Sequence, residues 1–161
     1  MLTAERAREL LDYDRDTGIF TWRKARPGVS LGSEAGGVNQ RGYIRIGLDG
    51  RLYRAHRIAF LIIDGEWPQN CVDHKDRNPA NNRWDNLRKC TQAQNVLNSA
   101  PSRSSASGFK GVEKHRDGWQ CRVSIDGERV QVGNFKSAFL AARAYDAAAR
   151  EAYGEFACTN F

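Results

Sequence analysis

The sequence predicts an α+β chain in two parts. N-terminal hairpins and a strand–loop–strand–helix module come first; a linker and a three-stranded antiparallel sheet packed on one helix follow. Three observations carry this expectation. Asp49-Gly50, Asp117-Gly118 and Asp126-Gly127 each stand between apolar-rich runs, the strong local signal for a tight hairpin turn. Residues 99–107 hold five Ser, one Pro and no large apolar side chain, which is a linker composition. Alanines then recur at helical spacing from Ala138 to Ala152.

Taken in order, Thr3 is an N-cap for a helix over 3–12, with Ala7, Leu10 and Leu11 on one face. Asp16-Thr17-Gly18 turns the chain into a short strand over 19–22. Residues 42–48 and 51–54 form a hairpin around Asp49-Gly50, and 56–63 is an apolar helix. A short strand ends at Asp73-His74, and an Asn-rich loop leads to a return strand over 87–90. Thr91 to Gln94 is a capping box that starts a helix. The domain boundaries are therefore 1–98, a serine-rich linker 99–107, and 108–161. In the second part, Trp119, Cys121, Val123 and Ile125 alternate with Gln120, Arg122 and Ser124, so one strand face is apolar and the other polar. Ser137 caps a helix that Gly154 stops; its small-residue stripe is core packing that lets it lie close on the sheet. The uncovered face would carry Arg122, Ser124, Arg129 and Gln131.

Composition bounds the function. The 161 residues carry 25 basic and 19 acidic side chains, a net charge of +6, with 40 % hydrophobic and 27 % charged residues. That fits a globular protein, and no apolar run is long enough to span a bilayer. Without a signal-peptide core at the N-terminus, membrane, secreted and collagen-like classes are excluded and an intracellular protein is expected. Nineteen of the basic residues are Arg, which suits phosphate and guanine geometry. Cys71, Cys90, Cys121 and Cys158 contain no Cys-x-x-Cys pair, so no zinc ribbon is expected. If the strands around 72 and 88 pair, Cys71 and Cys90 sit opposite each other, as two small buried hydrophobes.

The stretch from Cys71 to Asn95 carries the chemistry. A strand, loop, strand and helix in that order bring Asp73 and Asn95 toward one point. A carboxylate and an amide oxygen are hard donors suited to Mg²⁺ or Mn²⁺, with phosphate and water completing the shell. A neutral imidazole beside them, that of His74, takes a proton from water near neutral pH, and a loop Asn orients it. Metal, base and orienter together make a phosphodiesterase.

Tyr53-Arg-Ala-His-Arg57, Val72-Asp-His-Lys-Asp76, Asn81-Asn82, Asp85-Asn-Leu87 and Gln94-Asn95 stand in an order that resembles the HNH (ββα-metal) endonucleases of the phage and homing type. The resemblance implies a ββα-metal nuclease module with His74 as general base, Asp73 and Asn95 as metal ligands and Asn86 orienting His74. It implies one Mg²⁺ or Mn²⁺ per active site rather than zinc, because a His in some members is Asn95 here. Asn78, Asn81 and Asn82 are read as turn-formers, His56 as packing or a phosphate contact, and Arg57 as a DNA phosphate contact.

Gly111-Val112, Trp119, Val132-Gly-Asn-Phe135, the run Ala141–Ala148, Gly154 and Thr159-Asn-Phe161 resemble a second family, the APETALA-type (ethylene-response-factor-like) DNA-binding domain. Such domains lay a three-stranded sheet in the major groove. Carried over by position, Lys110, His115, Arg122, Arg129, Gln131 and Asn134 would face DNA. Glu113 and Asp117 depart from that pattern, standing where Arg and Trp are usual. The two resemblances together imply a metal-dependent DNA endonuclease, cytoplasmic and bacterial or phage-encoded, acting on double-stranded DNA as a monomer or homodimer and without a membrane partner. The alternative is a catalytically inactive DNA-binding protein or transcription regulator.

Overall fold

The computed structural model describes residues 1–98, 106–125 and 127–161, which form two units, Met1–Gln92 and Ala93–Phe161, each with its own apolar core. The division falls inside a helix, whereas the sequence placed it in the serine-rich stretch. Residues 99–105 of that stretch lie outside the described residues.

In the first unit, Thr3 caps α1 (Ala4–Leu10), its hydroxyl accepting the Arg6 N–H at 3.2 Å. The helix stops short of the expected residue 12. Leu11–Tyr13 instead forms β1, antiparallel to β2 (Phe20–Trp22). Alternation decides this: as a strand, Leu11 and Tyr13 both reach the core while Asp12 stays out, and Tyr13 stacks on Phe20 at 4.6 Å. A helix would have pointed the two apart.

A second sheet has the order β3 (Gly37–Val38), β4 (Ile44–Leu48), β5 (Arg51–Arg54). The β4–β5 turn is the expected one, with Asp49 at φ 46° and Gly50 at φ 76°, both in the left-handed region a type I′ turn demands. Two-residue β3 went unread because a strand that short has no period. Ile46 and Leu48 are fully buried in one core with Ile58 and Leu61 of α2 (Ala55–Asp64), which Gly65 ends at φ 83°.

β6 (Cys71–His74) and β7 (Leu87–Cys90) pair antiparallel, with Cys71 opposite Cys90, Asp73 opposite Arg88 and His74 opposite Leu87. Both thiols are free, and burial pushes that of Cys90 up to about 11. Helix α3 (Gln92–Leu97) follows directly.

The second unit holds β8 (Val112–His115), β9 (Gly118–Ile125) and β10 (Glu128–Phe135), in the order β10-β9-β8, and α4 (Ala138–Tyr153), capped by Ser137. The alanine stripe is core, as expected: Ala141, Ala142, Tyr145 and Ala149 pack with Cys121 and Val123. Gly111 sits at φ 69°, and a Cβ there would fall 2.1 Å from the Tyr145 ring and 2.5 Å from the Arg122 carbonyl oxygen. That close approach lets its carbonyl take the Arg122 N–H at 2.8 Å. No helix of the described residues is long and apolar enough to cross a membrane.

Candidate functional site

Asp73 and His74 end β6, where the strand enters the Asn-rich loop. His74 is buried, and its Nε2 lies 3.2 Å from Asn82 Oδ1. The Asn82 amide is set by its other end, since Nδ2 donates to the Ala80 carbonyl at 3.2 Å. Asn82 therefore presents an acceptor, so Nε2 carries the ring proton and Nδ1 keeps the lone pair. Burial lowers the His74 pKa against the opposing Asn82 bond and the Asp76 and Asp73 charges, which keeps the ring neutral at neutral pH.

The side chain hydrogen-bonded to His74 is therefore Asn82, whereas Asn86 was the one expected to orient it. Asn86 stands one step out from the His74–Leu87 pair, its carbonyl taking the Lys75 N–H. Its side chain turns into the loop instead: Nδ2 donates to Asp76 Oδ1 at 2.9 Å and to the Asn81 carbonyl at 2.8 Å, and Oδ1 accepts the Asp76 N–H at 3.0 Å. Asp76 is the hub of that loop. Its partial burial pushes the carboxyl up, but donors from Asn81, Asn78 and Asn86 hold it below the usual range. Sequence type alone could not separate a turn-forming Asn from an orienting one.

The N-terminal hairpin braces this segment. The Tyr13 hydroxyl donates to the Asn82 carbonyl at 2.7 Å, and the Trp84 N–H donates to the Arg15 carbonyl at 2.9 Å. Gly18, at φ 75°, comes so close that a Cβ would lie 2.4 Å from the Arg83 nitrogen and from the Asn82 carbonyl carbon. From the other side His56, buried on α2, meets the His74 ring edge to face at 4.9 Å, and Tyr43 meets His56 at 5.6 Å. His56 Nδ1 is buried with no partner among the described residues. Burial, then the charges of His74, Arg54 and Arg57, pushes its pKa down to about 3. His56 is thus a neutral packing wall, one of the two roles the sequence allowed. Arg57, expected at a DNA phosphate, spends its guanidinium on the Pro68 and Asn70 carbonyls at 2.7 and 3.0 Å, and so anchors the loop entering β6.

Asp73 is buried against Arg88 across the β6–β7 pair, its Oδ2 taking Nε at 2.9 Å and Nη2 at 2.8 Å. The guanidinium compensates a carboxylate that burial would otherwise penalise. Asn95, the second expected metal donor, is half-buried on α3 and belongs to the second unit. Among the described residues no three His, Cys, Asp or Glu side chains gather as a metal cage.

A profile of the HNH endonuclease family matches residues 53–97, the segment from β5 through the site to α3. The chain carries an HNH endonuclease domain. An uncharacterized HNH endonuclease of Acanthamoeba polyphaga mimivirus is 37 % identical over 108 residues, which is 65 % of this chain and 56 % of that protein. Protein 3.8 of Escherichia phage T7 is 36 % identical over 87 residues, 52 % of this chain and 69 % of that one. The chain thus spans little more than half the length of the mimivirus relative. A solved structure of DNA binding and cleavage by the HNH homing endonuclease I-HmuI is 30 % identical with a TM-score of 0.42, covering 54 % of this chain and 49 % of that one.

Beside the HNH site, the first unit holds a groove of about 650 Å³ that the sequence reading missed, lined by Arg41, Arg45, Arg54, Gln40, Asn39, Val38 and Leu52. Arg45 and Arg54 face each other directly across β4 and β5, and Arg54 lies over the Tyr43 ring at 4.7 Å. The signal was available, because a two-residue Asp-Gly turn fixes which residues of the hairpin are paired.

In the second unit, the residues expected at DNA fall on the sheet face turned away from α4. Arg129 pairs with Ser124, Gln131 with Arg122 and Asn134 with Gln120, while His115 ends β8. Gln120 is buried and donates to Asn134 Oδ1 at 3.4 Å. Lys110 precedes the sheet, and Asn160 pins its backbone at 2.7 and 3.3 Å. Asn160 is in turn bonded to the buried Asp146 at 2.7 and 3.0 Å. The C-terminal tail thereby fixes the loop that carries Lys110.

Proposed function

We propose that this protein is a metal-dependent DNA endonuclease that hydrolyses phosphodiester bonds, with the C-terminal sheet as a separate, APETALA-type surface for duplex DNA. The observation that carries the reading is the His74–Asn82 bond beside Asp73. It gives a neutral imidazole with its ring proton fixed on Nε2, which is the protonation state a general base for water requires. Asp73, and Asn95 from α3, would hold Mg²⁺ or Mn²⁺, which when bound supplies charge stabilisation at the phosphate. The protein's own residues orient His74, exclude water on its His56 side and hold the Asp73 charge against Arg88. Lys110, His115, Arg122, Arg129, Gln131 and Asn134 would meet DNA from the second unit, and Arg41, Arg45 and Arg54 would hold backbone near the cutting centre.

The test is purified protein on supercoiled plasmid with Mg²⁺ or Mn²⁺. Nicking or linearisation is expected, and His74→Ala should lower it by ~10²–10⁴-fold while DNA binding is retained. Plasmid left intact across varied targets at excess metal sinks the enzyme reading. One observation favours the second reading, a DNA-binding protein that does not cut: Asp73 already has a cationic partner in Arg88. Under that reading the wild-type protein and His74→Ala behave alike in every DNA assay.

A further inference from the structure

We propose that Glu113 is the selectivity residue of the C-terminal sheet: its carboxylate gathers Arg122 and Arg129 away from phosphate and accepts the amine of a cytosine in the major groove. The inference rests on the reading of that sheet as a DNA-binding face.

Glu113 lies on β8, an edge strand, opposite Gln120 of the central strand β9. Its Oε2 is 3.3 Å from Arg122 Nη1, on β9, and its Oε1 is 4.0 Å from Arg129 Nη1, on the far edge strand β10. One carboxylate thus draws in a guanidinium from each of the other two strands. Arg129 is paired with Ser124 and reaches along the sheet face toward Glu113, which is opposite Gln120. Strand alternation puts Glu113 on the same face as Arg122, Arg129 and Gln131, and among the described residues it is the only carboxylate there.

Stability does not account for it. The side chains of Glu113 and Arg129 are 57 % and 72 % exposed, and ion pairs that open to water contribute little. For a face that merely held phosphate, Glu113 is a liability, because its charge repels the backbone and cancels one arginine. For a face that reads bases, the same group is useful in two ways. A carboxylate accepts from the cytosine N4 amine, and an Arg held by a carboxylate keeps its remaining N–H groups free for guanine O6 and N7. The ligand this arrangement fits is duplex DNA presenting cytosine to Glu113 next to guanine at Arg122 or Arg129.

The experiment uses the full chain carrying His74→Ala, so that bound DNA is not cut. Bound duplexes are selected from a randomised library, and affinity for random-sequence duplex is measured against salt. With Glu113→Gln, a cytosine preference of ~10-fold at one position should collapse. Binding to random duplex should tighten, with a salt dependence steeper by about one phosphate contact. Unchanged base preferences together with unchanged random-duplex affinity overturn the proposal. The Arg122→Ala/Arg129→Ala variant separates the two levels. If it binds DNA as its parent does, the sheet is not a DNA face and the underlying reading fails. If it binds weakly while Glu113→Gln changes nothing, only the role of Glu113 fails.

Discussion

His56 makes the first unit acid-labile, and the size of the effect follows from its surroundings. The ring is 2 % exposed, has one buried nitrogen without a partner among the described residues, and is held neutral down to about pH 3, whereas an unfolded His takes up a proton near 6.5. Above pH 6.5 both states are neutral and pH has no effect through this group. Below 6.5 the unfolded chain binds a proton that the folded one refuses, so stability falls with pH until the folded ring titrates near 3. Between pH 6.5 and pH 5 the loss is ~2 kcal/mol, at about 1.36 kcal/mol per pH unit. His74, lowered for the same leading reason, adds to it in the same direction. The assay is urea unfolding at pH 7 and pH 5, read by tryptophan fluorescence, for wild type and His56→Leu. The variant should lose ~2 kcal/mol less on acidification. It should also gain about 1 kcal/mol at pH 7 by removing the unpaired Nδ1. An imidazole NMR signal of His56 that titrates near pH 6.5, or an equal acid loss in both proteins, would refute the reasoning.

Three further outcomes are expected. Asn82→Ala should cut DNA hydrolysis ~10-fold or more by freeing the His74 tautomer, yet leave affinity for uncut DNA unchanged, as gel-shift and single-turnover assays would show. Gly18→Ala should destabilise the first unit by at least ~1–2 kcal/mol from its left-handed backbone alone, and further through the clash with the Asn82–Arg83 peptide; urea unfolding reads this out. Arg45→Ala should raise stability slightly, because a like-charged cross-strand pair is relieved, and flatten the salt dependence of DNA binding by about one phosphate contact; unchanged salt dependence would remove the groove from the DNA path.

Particular residues show where sequence reasoning reached and where it stopped. The register of β6 and β7 was legible, because a two-stranded pairing around 72 and 88 fixes every partner, Cys71 with Cys90 included. The Asp49-Gly50 turn was legible because only a narrow set of residues tolerates two positive φ values in succession. The end of α1 was not, since Leu11 satisfies a helical stripe and a strand alternation equally well and only its pairing with Trp22, beside Tyr13 on Phe20, chooses between them. The role of Asn82 was hidden for a similar reason. Four asparagines crowd the loop between residues 78 and 86, and the one that meets His74 is picked out by Tyr13, Arg15 and Gly18, some 65 residues upstream.

By itself, then, the sequence determined the kind of chemistry. Asp73-His74 at a strand end and an ordered set of Asn around it pointed to phosphodiester hydrolysis through residue type and local spacing, and the HNH endonuclease profile over residues 53–97 supports that class of chemistry. The tertiary structure decided which side chains meet: Asn82 rather than Asn86 at His74, Arg57 at the Pro68 and Asn70 carbonyls, Arg88 against Asp73. Those outcomes depend on burial and on partners far away in the chain. A hydrogen bond chosen by packing from a distant hairpin leaves no periodic trace in the residues that make it.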